Sequence, residues 1–182
     1  AGNFIWCDIC QNCQAFKIKS KPYLCSPEED VCIFERTRTI YDGSDKVTTT
    51  RRCGKLNECG RGGSIRSHTK TILINTTCCH RNKCQAPFPS LPSISNDVNG
   101  VICPACFYPS ADHCLDYSDL PCTGNEKRCV HYTKTEWQDM YLSAETLHGC
   151  TTDEICKSGS GLIKSDGNVN FKTMKIDISC TE

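Results

Sequence analysis

The chain has 182 residues, 18 of them cysteine, and its 21 Lys+Arg balance 21 Asp+Glu to a net charge of zero. Cysteine at that density points to a disulfide scaffold made in an oxidising compartment. No apolar run approaches the ~20 residues of a membrane-spanning helix, and no nucleic-acid motif or dense basic stripe stands out.

An even cysteine count allows complete pairing. Only 38% of residues are apolar with cysteine included, so the core is thin and cross-links of ~2–4 kcal/mol each carry much of the stability. With no signal peptide and no hydrophobic anchor tail, the chain reads as a mature, soluble, secreted protein. The neutral total hides a split. Residues 1–95 carry 14 Lys+Arg against 8 Asp+Glu (+6), and residues 96–182 carry 7 against 13 (−6). Such a split suits head-to-tail contacts between copies, or a basic unit facing an acidic partner.

Cysteines stand at 7, 10, 13, 25, 32, 53, 59, 78, 79 and 84, then at 103, 106, 114, 122, 129, 150, 156 and 180. Both sets open with Cys-x2-Cys. Both then show a pair seven apart (25 and 32; 122 and 129), a gap of 21 (32 to 53; 129 to 150), a step of six (53 to 59; 150 to 156) and a gap near 20. This is an internal repeat of 96 residues, from Cys7 to Cys103. The expected layout is a first domain over 1–86, a linker over 87–102 and a second domain over 103–182.

In the first domain, Val31 to Tyr41 predicts a strand, Asp42-Gly43-Ser44-Asp45 a turn, and Lys46 to Arg52 the returning strand. Gly60-Arg61-Gly62-Gly63 predicts a flexible tip, and Thr69 to Cys78 a further strand. Pro87, Pro89 and Pro92 predict an extended, semi-rigid linker. In the second domain, Ser165-Asp166-Gly167-Asn168 predicts a turn. Met174, Ile176, Ile178 and Cys180 then alternate with polar residues, the pattern of a half-buried strand. No sustained helical period appears, so the class is all-β and disulfide-rich.

The ten-cysteine set ending in Cys78-Cys79 and Cys84 resembles the three-finger domains of the lymphocyte-antigen and urokinase-receptor family. Spacing alone leaves about a hundred pairings open for eight cysteines. The resemblance implies Cys7–Cys32, Cys10–Cys13, Cys25–Cys53, Cys59–Cys78 and Cys79–Cys84. In the second domain it implies Cys103–Cys129, Cys106–Cys114, Cys122–Cys150 and Cys156–Cys180. Two tandem three-finger domains, the second without the terminal ring, are similar to the gamma-type phospholipase A2 inhibitors of snake serum. The segments Ser26-Pro27-Glu28-Glu29-Asp30-Val31-Cys32, Phe88-Pro89-Ser90-Leu91-Pro92 and Asn99-Gly100-Val101-Ile102-Cys103-Pro104 carry that likeness. Two departures are the closeness of Cys10 to Cys13 and Gln85 where the family usually has Asn. The sodefrin precursor-like proteins of amphibians share the layout, which implies a chemosignal or receptor-binding role as the alternative.

No catalytic site is expected. Cys-Cys-His-x-x-x-Cys around His80 sets the histidine two positions away from its place in secreted phospholipases A2, and no partner carboxylate is evident. Cys7/Cys10, Cys10/Cys13 and Cys103/Cys106 have zinc-ligand spacing, but in an even-cysteine secreted chain disulfides take precedence; no metal or cofactor is expected. His68, His113, His131 and His148 show no ligand-like spacing. Function then lies in binding a secreted protein partner, for which the resemblance implies a phospholipase A2. Trp137, Met140, Tyr141 and Leu142 at the second domain's middle finger form a candidate apolar contact. Arg36, Arg38, Arg51 and Arg52 on the first domain's middle finger form a candidate basic one. Asn75-Thr76-Thr77 is a sequon, making Asn75 a candidate glycan site on a solvent face.

Overall fold

The computed structural model of the chain describes residues 4–13, 21–110, 113–138, 140–158, 161–165 and 172–181. It is built of β-hairpins, as the Gly/Asp turns between branched-residue runs demand. The first unit holds β1 (Trp6–Gln11), β2 (Lys21–Leu24), β3 (Val31–Tyr41), β4 (Ser44–Gly54), a 3-10 turn (Leu56–Glu58), β5 (Gly63–Arg66) and β6 (Lys70–Cys79). The second holds β7 (Val98–Tyr108), β8 (Ser118–Thr123), β9 (Arg128–Gln138), β10 (Tyr141–Thr151), α1 (Asp153–Ser158), β11 (Gly161–Ser165) and β12 (Lys172–Thr181). No helix among the described residues is long and apolar enough to cross a membrane.

The repeat seen in the cysteines is also a repeat of pairing. In the first unit β3 lies between β4 and β6, with β1 beyond β4. In the second β9 lies between β10 and β12, with β7 beyond β10. Both middle hairpins run without a slip: Cys32 faces Cys53 and Tyr41 faces Ser44, while Cys129 faces Cys150 and Gln138 faces Tyr141. Asp42 and Gly43 close the first of them in left-handed backbone, φ 49° and 73°, the signature of a type I′ turn. Residues 166–168 of the turn expected before β12 lie outside the described residues.

Nine disulfides close the two units at their bases: Cys7–Cys32, Cys10–Cys13, Cys25–Cys53, Cys59–Cys78, Cys79–Cys84, Cys103–Cys129, Cys106–Cys114, Cys122–Cys150 and Cys156–Cys180. Their sulfurs are much of the core. Cys7, Cys25, Cys32 and Cys53 pack with Ile5, and Cys103, Cys122 and Cys150 pack with Ala105 and Leu120. The third cluster belongs to both units. Ile65 and Ile72 of the first pack with Val130, Tyr132, Leu147 and Ile155 of the second.

That shared core corrects two expectations. Gly60–Gly63 is not a free tip. Gly63 opens β5 and is buried, and a Cβ there would collide with Thr152 Oγ1 and meet Ile155 Cγ1 at 2.8 Å. The linker also ends sooner than expected, because Val98–Ile102 are already part of β7. The rest of it is fastened down. Asn75 Nδ2 donates to the Ser90 carbonyl at 2.6 Å, Thr77 Oγ1 donates to the Pro87 carbonyl, and Phe88 meets the Phe34 ring edge-on at 5.5 Å. Prolines lack an N–H to pair with a strand, so side chains and carbonyls do the fastening.

The two units join into one sheet. Arg66 and Ile65 of β5 pair with Cys150 and Thr151 of β10, which covers an edge that would otherwise stand open. The approach is close enough that a Cβ on Gly149 would collide with the Arg66 carbonyl oxygen and lie 2.8 Å from its carbon. Around it, Thr151 Oγ1 donates to the Ser64 carbonyl at 2.8 Å, and Lys70 Nζ donates to Glu145 Oε2 at 2.6 Å. Lys70 also lies 4.9 Å from the Phe107 ring centre, and Tyr41 packs edge-on against Phe107 at 5.0 Å. Two cations of the basic half thus meet two carboxylates of the acidic half inside the chain, since Arg66 pairs with Glu126.

Candidate functional site

The junction engages the first unit's finger tips. Tyr41, at the end of β3, rests on Phe107, and His68, in the turn between β5 and β6, shares a hydrogen bond with Ser118 Oγ at 2.8 Å. The middle finger of the second unit has no such cover among the described residues. Beyond Thr146, which faces Tyr108, β7 no longer accompanies β10, and the β9–β10 hairpin continues to Gln138 and Tyr141. There Trp137 stands directly opposite Leu142, so their side chains share one face. Exposure climbs from 40% at Trp137 and 64% at Leu142 to 83% at Tyr141 and 96% at Met140. Below this cap Lys134 and Glu136 pair with each other at 2.8 Å. The result is a convex apolar tip above a neutralised stem. Large aromatic and thioether side chains contribute about 1.5–3 kcal/mol each when covered, and here Met140, Tyr141 and Leu142 are left largely exposed among the described residues.

The four arginines of the first unit's middle finger, Arg36, Arg38, Arg51 and Arg52, do not form a basic surface. Arg51 and Arg52 are consecutive strand residues, so they point to opposite faces, and both are buried. Arg52 is held by Glu35 at 3.0 Å and Glu58 at 3.1 Å. Burial alone would lower its pKa, but the two carboxylates outweigh burial and hold it above the ordinary value. Arg51 lies over the Phe34 ring at 4.0 Å and Arg36 over the Phe88 ring at 4.7 Å. Arg38 reaches Asp45 with Nε at 2.8 Å and Nη2 at 2.6 Å. Each guanidinium has a partner of its own, and the partly exposed Arg38 is neutralised by Asp45.

Asn75 sits half-buried on β6. Its Oδ1 accepts from the Thr76 N–H at 2.9 Å while its Nδ2 holds the linker at Ser90. The nitrogen that would bear a glycan is thus the one that clamps the linker, and the face is not open solvent. His80 is exposed beside the Cys79–Cys84 ring. All cysteines are in bridges; the groups Cys7/Cys25/Cys53, Cys32/Cys79/Cys84 and Cys103/Cys122/Cys150 are therefore neighbouring disulfides, whose sulfurs have no thiolate to offer an ion.

Sequence reasoning missed one cluster. His131 and His148, scattered along the chain, face each other across β9 and β10. Their rings stack at 4.1 Å, Tyr117 meets His148 edge-on at 5.1 Å, and its hydroxyl lies 3.3 Å from His148 Nε2. Burial first, then the neighbouring His131 and His113, pull His148 down to about 4. The signal was available: in an unslipped hairpin, two residues inward from Cys129 must face two inward from Cys150. The junction residues Arg66, Lys70, Glu126 and Glu145 were missed as well, and no local pattern marks them.

The u-PAR/Ly-6 domain family model matches residues 4–87 and again residues 99–182. Among curated proteins, the chain is 28% identical over 178 residues to a phospholipase A2 inhibitor gamma subunit from Laticauda semifasciata, spanning 96% of this chain and 94% of that protein. It is 29% identical over 106 residues to protein RoBo-1 of Rattus norvegicus, spanning 58% of this chain and 40% of that protein. Among solved structures, mouse TEX101 aligns over 97% of both chains at 18% identity with a TM-score of 0.37.

Proposed function

This chain belongs to the u-PAR/Ly-6 domain family, and from that membership we propose that it is a secreted, non-enzymatic binding protein whose partner is a secreted phospholipase A2. The observation that carries the reading is the uncovered apolar tip of Trp137, Met140, Tyr141 and Leu142. Similarity over nearly the whole chain to an inhibitor of that enzyme class supports the choice of partner. Nine disulfides support an extracellular setting, where such bridges persist.

The mechanism is stoichiometric capture. The tip seats in an apolar hollow of the enzyme, the stem of β9 and β10 occludes the adjoining surface, and the enzyme no longer reaches its membrane substrate. Preorganisation favours this arrangement. The hairpin is backed by β12 along β9 up to Gln138, so little chain entropy is lost on binding.

The test is hydrolysis by a panel of secreted phospholipases A2, titrated with the oxidised protein, with a reduced and alkylated control, and with Trp137→Ala/Leu142→Ser. Saturable inhibition near one-to-one, lost in the control and weakened in the variant, is the expected result. No binding or inhibition across the panel removes this function.

A further inference from the structure

The shortest bridge does not do the work of the long ones. Cys7–Cys32 and Cys25–Cys53 join residues 25 and 28 apart and lie in the core. Cys10–Cys13 joins residues three apart, whereas the second unit's counterpart, Cys106–Cys114, spans eight. A three-residue loop ties no strand to another. Moreover, what it encloses is already held without it. Cys10 and Gln11 pair with Arg51 and Thr50 of β4. The Cys13 N–H donates to the Thr49 carbonyl at 3.2 Å, and Thr49 Oγ1 donates to the Cys13 carbonyl. If this bridge opens, these bonds keep the two cysteines close to each other, while the turn at Asn12 between them is free to relax.

Three further features favour its opening. The tight loop drives Asn12 into left-handed backbone, φ 51°, a conformation disfavoured for side-chain-bearing residues and tolerated best by Asn and Asp; opening the loop releases it. Cys10 is only partly buried, while Cys13 is 8% exposed, so one sulfur can be approached from solvent. Finally, Cys10 stands opposite Arg51, a buried guanidinium whose Nε has no hydrogen-bond partner among the described residues. A fixed cation on the same face favours a thiolate over a thiol, and Cys-x-x-Cys is the spacing at which thiol–disulfide exchange is commonly tuned.

We propose that Cys10–Cys13 is a thiol–disulfide exchange site that takes low-molecular-weight thiols, on a scaffold whose other bridges remain closed. A thiolate RS⁻ attacks Cys10 Sγ, forming an RS–Sγ bond as the Sγ–Sγ bond breaks, and Cys13 leaves as a thiolate that takes a proton from solvent. A second RS⁻ attacks the outer sulfur of that mixed disulfide. It releases Cys10 as a thiolate and yields RSSR. Two electrons pass to the protein and two thiols are oxidised; RSSR drives the reverse.

The test uses the intact oxidised protein in graded reduced glutathione, quenched with iodoacetamide and mapped by peptide mass spectrometry, with the far-ultraviolet spectrum recorded at each step. The expected result is alkylation of Cys10 and Cys13 at glutathione about tenfold below that which opens any other pair, with an unchanged spectrum. Cys13→Ser, given oxidised glutathione, carries one glutathione on Cys10. Earlier opening of another bridge, or simultaneous opening of several with loss of the spectrum, overturns the proposal. So does failure of Cys10→Ser/Cys13→Ser to fold, which would make the bridge structural.

Discussion

The Arg66 guanidinium grips the Glu126 carboxylate from across the domain boundary, Nε at 3.0 and 3.2 Å from its two oxygens and Nη2 at 2.8 Å. Glu126 is buried, and its Oε1 also accepts from the Thr123 N–H and hydroxyl at 2.7 and 2.8 Å. Bidentate geometry of this kind is the strong form of an ion pair. Removing one member of a buried pair strands the other charge. Arg66→Ala therefore costs about 3 kcal/mol in urea unfolding. Because the units share a sheet and a core, the transition stays single: Trp6 reports the first unit, Trp137 the second, and Trp6→Phe and Trp137→Phe variants unfold at matching urea concentrations. Two separated transitions would mean that the junction does not couple the units.

Gly149→Ala attacks the same junction sterically. The new methyl runs into the Arg66 backbone carbonyl, and backbone yields less readily than a side chain. The pairing of β10 with β5 opens, and amide exchange at Arg66, whose N–H faces β10, rises to that of an exposed edge, while Ile65, whose N–H faces β6, stays protected. Unchanged protection at Arg66 would contradict the close approach.

Arg52 and Arg38 divide by environment. Arg52→Met leaves Glu35 and Glu58 facing each other in a buried site and costs about 3–5 kcal/mol. Arg38→Ala removes a solvent-facing pair with Asp45 and leaves the denaturation midpoint unmoved. Equal effects of the two substitutions would refute this division.

The tip predicts the opposite of a core. Trp137→Ala and Leu142→Ser alter unfolding by no more than about 0.5 kcal/mol, as expected of exposed positions. Against a captured phospholipase A2 each weakens binding by about 2 kcal/mol, roughly thirtyfold. Calorimetric titration and thermal melts on the same samples separate the two quantities. A large loss of stability with no loss of affinity would place these side chains in the fold and not in the contact.

His148 sets an acid dependence. Its folded pKa, about 4, is below the ordinary 6.5, so between those values the unfolded chain binds the extra proton. Stability contributed by the neutral ring is present above pH 6.5 and is lost as the pH falls toward 4. His113, His131 and Tyr117 face the ring. The melting temperature of the wild type falls across that interval, and His148→Gln flattens the slope. An equal slope in the variant would assign the effect elsewhere.

Much of the architecture was legible because covalent and local rules write it. The two 21-residue gaps, Cys32 to Cys53 and Cys129 to Cys150, each hold a hairpin whose register is counted inward from its cysteines. Asp42-Gly43 needs only its own backbone to turn, and the alternation of Ile176 and Ile178 needs only a strand with one buried side. The arginines illustrate the limit. Their positions were legible, but Arg51 and Arg52 point apart, and the rings and carboxylates that claim this group come in part from the linker and from the 3-10 turn at Glu58.

The sequence by itself determined a twofold repeat, all-β hairpins and a disulfide-rich chain, since each follows from spacing, turn chemistry and period two within a few dozen residues. Only the tertiary structure decided that Gly60–Gly63 leads into a junction, that opposite charges of the two halves meet inside the chain, and that, among the described residues, the second unit's middle finger is left uncovered while the first unit's is engaged. Those outcomes depend on contacts such as Arg66 with Glu126, 60 residues apart. Such contacts arise when two surfaces meet, and neither stretch of chain carries the pairing in its own local pattern.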